Sequence, residues 1–424
     1  MGIAMKKLLF VINTMGYGGA ERALLDLLKA LHSEKLQISL FVLTGQGELA
    51  CELPPYVNRL NRQYKDCSVL TREGRRYLLG SVLRAGVGKG LFIRKAGYLL
   101  RNLWAMAQKG RIQPDKLCWR ILAEGAPALQ EEYDLAVAYL EGGATYYVAD
   151  RVKAKKKAAF VHISYAQAGY GRALDLDCYR RIDHIFTVSD EVREHFLEVY
   201  PEYGPKTSVF HNLVDRDRIC RLAQEGTGFT DAFSGVRILT VGRLAPQKRY
   251  DVAIEAMARL KQCSPVPVRW YVLGEGELRG QLEQKIRHLG LEKDFQLMGV
   301  RKNPYPYYRS CDLYVHATGF EGKSLAIQEA QALGKPILAT DCIGNREQIR
   351  QDVDGRLCPL DPESLCREIL WMIDHPEECR AYGARAREKT LYSTKGFTDF
   401  LGLLDGAQQR EEMSCETETV LLSR

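Results

Sequence analysis

The sequence predicts an α/β protein of two domains, each a parallel sheet covered by helices, and three observations carry that expectation. The 424 residues exceed what one ordinary compact domain holds. Short apolar runs alternate with amphipathic segments, as they do where buried strands are joined by crossover helices. Glycine outnumbers proline, 37 to 15, an excess expected where strands turn tightly into helices or where backbone must approach a ligand. A composition of 46% apolar and 27% charged residues excludes a disordered chain.

In the first half the expected strands are 8–12, 39–43, 135–139, 158–162 and 185–188. The first of these follows Lys6-Lys7 and has only five apolar residues before Asn13. That is too short for the core of a signal peptide, so a buried strand is expected. Between the second and third strands lies a basic block, about 58–120, with fifteen Lys or Arg against Asp66, Glu73 and Asp115. Its excess of twelve positive charges sits in a chain of net charge +7, so the remainder is mildly acidic. The block reads as helical: Phe92, Ala96, Leu99, Leu100, Leu103 and Ala107 share one face, with Arg94, Lys95 and Arg101 on the other. Such a helix can lie on an anionic membrane surface or pack its apolar face on the domain, and both readings stay open.

A second series of strands is expected at 236–241, 268–273, 295–298, 313–316 and 336–339. The segment 221–234 lacks periodicity, which places the interdomain linker near 212–235. The predicted division is an N-terminal domain over 1–212, a C-terminal domain over 213–396, and a helix with a polar tail over 397–424. Twelve cysteines stand singly, without a CxxC pair or a zinc-ligand spacing, so a reducing cytoplasm is the expected setting. No stretch approaches the roughly 18 apolar residues of a membrane span.

The residues that carry chemistry lie where expected strands end. After 8–12 comes Asn13-Thr14-Met15-Gly16-Tyr17-Gly18-Gly19, running into a helix. Glycines there let backbone approach an anion at a helix N-terminus, but the spacing is not the dinucleotide fingerprint, so a nicotinamide site is disfavoured. After 236–241 comes Gly242-Arg243-Leu244-Ala245-Pro246-Gln247-Lys248. A guanidinium fork and a point charge on one loop suit a diphosphate leaving group. After 313–316 comes Glu321-Gly322-Lys323-Ser324-Leu325, with Glu329 inside the helix that Ser324 is expected to cap. These two carboxylates can bracket a diphosphate, Glu321 facing sugar hydroxyls and Glu329 ribose hydroxyls. Asp175-Leu176-Asp177 has the form of a metal-binding pair but lacks a flanking strand, so it is read as solvated and no metal is expected. Glu141, after 135–139, lies at the edge that would meet an acceptor.

Together, Glu321-x7-Glu329, the loop 241–248 and the segments Val188-Ser189, His211-Asn212-Leu213-Val214-Asp215, Leu273-Gly274-Glu275-Gly276 and Gly334-Lys335-Pro336 resemble retaining glycosyltransferases of family 4, the glycosyl transferases group 1. The resemblance covers most of 5–400. It implies a GT-B fold, two Rossmann-like domains with parallel sheets facing across a cleft, the first binding acceptor and the second the sugar nucleotide. It makes Arg243 and Lys248 diphosphate ligands, Glu329 a ribose ligand and Glu321 a donor-sugar contact, with Gly322, Lys323, Ser324 and Leu325 lining the donor. His162 matches a cleft histidine near the transferred sugar, and Gly18 and Gly19 match the family's glycine loop. The C-terminal helix is expected to pack back on the first domain. Lys323-Ser324 departs from the aromatic or aliphatic residue and glycine that many members carry there.

The expected activity is therefore metal-independent, retaining transfer from a nucleotide-diphosphate sugar to a glycan or lipid-linked acceptor, in cell-surface polysaccharide synthesis, with Glu321, His162, Arg243 and Lys248 central. The alternatives are a sugar-nucleotide epimerase on the same fold and a non-catalytic nucleotide-sugar binding module. The expected location is cytoplasmic and peripheral to the inner face of the cell membrane. No cofactor and no nucleic-acid partner are expected.

Overall fold

A computed structural model describes residues 5–69, 71–108, 110, 113–165, 168–389 and 394–404; the polar tail over 411–424, and Lys109 and Arg111 of the basic block, lie outside the described residues. The chain divides into two compact units, one running to Asn212 and including the Thr394–Leu404 helix, the other spanning Leu213–Tyr392.

The first unit holds seven strands: β1 (Lys6–Ile12), β2 (Leu36–Val42), β3 (Val57–Arg59), β4 (Glu132–Ala138), β5 (Lys153–Val161), β6 (His184–Thr187) and β7 (Thr207–Val209). All pair in parallel, in the order β3-β2-β1-β4-β5-β6-β7. Leu8 to Ile12 are fully buried, which is why β1 reads as a continuous apolar run and not as an alternation. The second unit repeats the plan with β8 (Val236–Val241), β9 (Val268–Leu273), β10 (Phe295–Leu297), β11 (Leu313–His316), β12 (Ile337–Thr340) and β13 (Arg356–Cys358), ordered β10-β9-β8-β11-β12-β13. In both sheets the winding direction reverses, between β1 and β4 and between β8 and β11. At such a reversal the loops leaving two adjacent strands diverge and open a crevice at their carboxyl ends.

Three features depart from the sequence reading. The stretch read as linker contains a helix, Arg216–Ala223, capped by the Asp215 carboxylate, which accepts from Arg218 N–H at 2.8 Å. Beyond it, Phe229 packs on Tyr271 and Asp231 accepts from Arg237, Arg269 and Tyr271, so this segment is part of the second unit's wall. Asp175 is not solvated; it is wholly buried and bound by three tyrosine hydroxyls, while Asp177 is exposed. The basic block forms helices at Arg72–Gly86, Leu91–Arg94, Ala96–Gln108 and Pro114–Gly125. In the third of these Tyr98, Asn102 and Met106 point inward and Ala96, Leu100, Leu103 and Ala107 point out, while Leu99, and Phe92 on the second, leave the face expected for them and pack against the core.

The Thr394–Leu404 helix buries Phe400 among the rings of Phe10, Phe160, Phe186 and Phe210, with centroids 5.9–6.2 Å apart. Lys6 Nζ donates to the Leu404 carbonyl at 2.6 Å. No helix among the described residues is long and apolar enough to cross a membrane.

Candidate functional site

In the second unit the loops leaving β8 and β11 are bound to each other. Thr318 Oγ donates to the Gln247 carbonyl at 3.1 Å, Gly319 N–H donates to the same carbonyl at 2.9 Å, and Gln247 Nε2 donates to the Phe320 carbonyl at 2.7 Å. The β8 loop is also held from its other side. Leu244 N–H donates to the Glu275 carbonyl at 3.0 Å, an approach that needs glycine nearby: a Cβ at Gly274 would stand 1.9 Å from the Gly242 carbonyl oxygen, and one at Gly276 2.2 Å from that of Leu244.

This lacing puts the Lys248 ammonium against the Glu321 carboxylate as a largely buried ion pair. His316, the last residue of β11, completes the cluster. Its Nε2 lies 3.3 Å from Lys248 Nζ and 3.1 Å from Glu321 Oε2, and its Nδ1 lies 3.1 Å from the Tyr314 hydroxyl. Burial alone would raise the Glu321 carboxyl, but the Lys248 charge and the His316 hydrogen bond outweigh it and hold it down at about 2. Burial, reinforced by Lys248, lowers the His316 pKa below its usual value, so the ring is neutral near pH 7. Arg243 sits five residues before Lys248 on the same loop and is exposed.

The Leu325–Ala332 helix starts from Ser324, whose side chain makes no capping hydrogen bond, contrary to the expectation from sequence. Among the described residues its hydroxyl is therefore not what satisfies the first-turn N–H groups. Glu329, one turn in, accepts from the Tyr305 hydroxyl at 3.0 Å and the Tyr308 hydroxyl at 3.1 Å. Both tyrosines come from the Tyr305–Ser310 helix.

The first unit makes a second set of contacts at its own reversal point. Asn13, at the end of β1, donates from Nδ2 to the Glu141 carbonyl at 3.1 Å and accepts Ala144 N–H at 2.7 Å, tying the β1 and β4 loops together. Gly18 precedes the Gly19–Ala30 helix in extended conformation. The buried Glu141 carboxylate accepts the backbone N–H of His162 at 3.0 Å, and burial raises its pKa. The His162 ring packs on Tyr139, with centroids 5.0 Å apart. Burial pushes its pKa down to about 4, against a hydrogen bond to the Tyr139 backbone, and its Nε2 has no hydrogen-bond partner among the described residues.

Residues 235–389 match the family model described as glycosyl transferases group 1, which covers β8 to β13 with Arg243, Lys248, His316, Glu321 and Glu329. The match lies within the second unit and runs over most of it. The chain is also similar to the N-acetylgalactosamine-N,N'-diacetylbacillosaminyl-diphospho-undecaprenol 4-alpha-N-acetylgalactosaminyltransferase of Campylobacter jejuni, 31% identical over 232 residues. That match covers 54% of this chain and spans 61% of the relative's length. Among solved structures, Anabaena HepE in complex with UDP-glucose superposes with a TM-score of 0.62 at 18% identity, covering 98% of this chain and all of that one. S. aureus TarM, in a complex that includes UDP, gives 0.65 at 13% identity, covering 95% of this chain and all of that one. The likeness shows the fold, which is GT-B.

Within the second unit, then, the structure brings together Lys248, Glu321 and the turn Gly322-Lys323-Ser324-Leu325, with Arg243 on the adjoining loop and Glu329 on the following helix. In the first unit it brings Glu141 to His162. Sequence reasoning missed His316, although its place at the carboxyl end of a central strand was a usable signal. It also missed Tyr305 and Tyr308, whose approach to Glu329 depends on helix packing that no local pattern announces. One more residue enters from the structure alone. Gly344, in the Ile343–Arg346 helix, lies so close to the Glu321 turn that a Cβ would stand 2.1 Å from the Glu321 carbonyl oxygen and 2.4 Å from that of Gly322. Gly344→Ala is expected to push that turn aside at a cost of about 1–3 kcal/mol, the usual penalty of overpacking. Thermal melts should show that loss; an unchanged Tm would mean that the turn gives way freely.

Proposed function

We infer that this protein is a retaining glycosyltransferase that moves a sugar from a nucleotide-diphosphate donor to a lipid-linked or glycan acceptor in cell-surface polysaccharide synthesis. The observation that carries the reading is the Lys248–Glu321–His316 cluster at the reversal point of the second sheet, the place where open α/β sheets hold ligands. The Campylobacter relative, named for an undecaprenol-diphosphate acceptor, supports the acceptor class, and the UDP-glucose bound to HepE supports the donor class.

In this mechanism donor handling falls to the second unit. Arg243, Lys248 and the N–H groups opening the Leu325–Ala332 helix stabilise the negative charge that builds on the leaving diphosphate. These groups supply the neutralisation that a metal ion gives elsewhere, so transfer proceeds without one. Glu321, kept ionised by Lys248, accepts hydroxyl hydrogens of the donor sugar, and Glu329, oriented by Tyr305 and Tyr308, accepts those of the ribose. The acceptor hydroxyl attacks the anomeric carbon from the side the diphosphate leaves. A phosphate oxygen takes its proton as the glycosidic bond breaks, so the anomeric configuration is kept. Acceptor handling falls to the first unit, where Glu141 fixes the backbone of His162 and the neutral His162 ring offers Nε2 as an acceptor to a sugar hydroxyl.

A thermal-shift panel of UDP-glucose, UDP-galactose, UDP-N-acetylgalactosamine and GDP-mannose tests the donor. The right sugar nucleotide at about 100 times its Kd is expected to add ~2.7 kcal/mol to stability by mass action. Incubation with that donor alone should yield no new sugar nucleotide, whereas adding undecaprenol-diphosphate-linked sugar should yield an α-linked product from an α-linked donor. No shift with any nucleotide sugar, or epimerised donor without acceptor, would overturn the assignment.

A further inference from the structure

The basic block presents an apolar surface that the fold leaves uncovered. The Arg72–Gly86 and Ala96–Gln108 helices both pack inward against the Pro114–Gly125 helix, and the short Leu91–Arg94 helix bridges them. Their inward faces are settled: Val82, Ala85 and Gly86 on the first, Tyr98, Asn102 and Met106 on the second. Tyr98 donates to the Leu174 carbonyl at 3.1 Å and Asn102 to the Ala173 carbonyl at 3.4 Å, so the second helix cannot roll without breaking buried hydrogen bonds. What points outward is apolar at helical spacing. Leu79, Leu83 and the C-cap residue Val87 follow one another every four residues along the first helix, and Ala96, Leu100, Leu103 with Trp104, and Ala107 line one side of the second. Ile93 is 85% exposed, Leu100 68% and Trp104 66%, exposures that water-facing positions normally leave to polar side chains.

The charges on the same outward faces decide what covers this surface. From Thr71 to Gln108 there are eight Lys or Arg and one acidic residue, Glu73. Lys89 donates to the Gly125 carbonyl and Lys95 pairs with Glu124, but Arg75, Arg76, Arg94 and Arg101 are exposed and make no ion pair among the described residues. Exposed leucine, isoleucine and tryptophan interleaved with arginine match a lipid–water interface, where apolar side chains enter the acyl boundary and cations meet anionic headgroups. A second copy of this chain would bring like charge against like charge.

We propose that these helices dock the protein on an anionic bilayer, with Ile93, Leu100 and Trp104 inserted and Arg94 and Arg101 on the headgroups. The surface belongs to the first unit and the Lys248–Glu321 cluster to the second, and its test needs no sugar nucleotide, so it stands or falls independently of the proposed activity.

The test is co-sedimentation of the full chain with vesicles of phosphatidylcholine containing 30% phosphatidylglycerol, against vesicles of phosphatidylcholine alone. Binding to the anionic vesicles is expected to be at least tenfold tighter, and to weaken as salt rises. Leu100→Ser with Trp104→Ser, both at exposed positions, should reduce that binding at least tenfold with an unchanged Tm, and Arg94→Glu with Arg101→Glu should do the same. Tryptophan emission should shift to the blue on anionic vesicles in the native chain and not in Trp104→Phe. Equal binding to both vesicle types, or full binding by the Leu100→Ser, Trp104→Ser variant, would overturn the proposal. So would light scattering that shows a dimer in the native chain and a monomer in that variant, because the surface would then be covered by a second copy.

Discussion

Replacing Lys248 with alanine is expected to lower the transfer rate at least ~10³-fold while leaving a folded protein. Two effects act together. A positioned donor to charge that develops on a leaving group is worth about 10²–10³ in rate by itself. The substitution also strips Glu321 of its cationic partner, leaving a buried carboxylate hydrogen-bonded to the neutral His316 ring. Removing one member of a buried ion pair costs about 3–5 kcal/mol, because the remaining charge stays out of water. The pH dependence separates this from a general loss of packing. In the native chain the Glu321 carboxyl titrates at about 2, below its ordinary 4.5, so the pair's contribution is fully present above pH 4.5 and is lost as pH falls toward 2. The stability gap between native and Lys248→Ala protein should therefore be widest near neutral pH and close on acidification, as read by thermal melts across that range. Lys248→Arg keeps the charge and should recover most of the stability but less of the rate, because a planar fork replaces a compact point charge. Near-native turnover in the alanine variant would remove Lys248 from the mechanism.

What the sequence made legible, and what it hid, follows from how far each cause acts along the chain. Runs such as 8–12 and 236–241 are buried on both faces and announce themselves as strands. Edge strands β3, β7 and β13 are three residues each, too short to show a period, and went unseen. The residue types of the donor site were readable at strand ends, but the meeting of Lys248 with Glu321, 73 residues apart, comes from β8 and β11 lying side by side, a fact of winding order. Helical periodicity in the basic block grouped Ala96, Leu100, Leu103 and Ala107 as the structure does, but it also counted Phe92 and Leu99, which pack inward. It could not say which side faced in, because the buried side is the mixed set Tyr98, Asn102 and Met106, whose two polar side chains reach the Leu174 and Ala173 carbonyls, more than 70 residues away. Ser324 shows the converse limit: a residue type suited to capping stands at the right position and caps nothing.

Asp175→Ala is expected to be among the most destabilising single changes in the first unit. The Tyr146 hydroxyl donates to Asp175 Oδ1 at 2.9 Å, and those of Tyr165 and Tyr200 donate to Oδ2 at 2.9 and 2.6 Å. Arg120, itself buried, donates to the Asp175 carbonyl at 2.5 Å, lies over the Tyr146 ring and pairs with Asp150. Alanine would leave three phenols unsatisfied in a closed interior, at about 1–3 kcal/mol each, so a total loss of at least ~3 kcal/mol follows. In a unit of this size that lowers Tm by roughly 6–12 °C. Asparagine is the discriminating companion. Burial raises the Asp175 carboxyl to about 6, against the three tyrosines that pull it back down. A carboxyl raised above its unfolded 3.8 contributes stability that is fully present below that value and is lost as pH rises through 6. The native chain should therefore lose this increment between about pH 4 and 6, and Asp175→Asn, which cannot ionise, should not. Melts of the two proteins across that interval should converge in acid and separate toward neutrality, with asparagine the less pH-sensitive. Parallel curves would mean that the carboxylate keeps its charge throughout and that the tyrosines, not burial, dominate its titration. The same segment carries the Leu174 and Ala173 carbonyls that hold Tyr98 and Asn102. The alanine variant should thus also raise hydrogen exchange in the Ala96–Gln108 helix, while the Leu325–Ala332 helix of the second unit keeps its native protection.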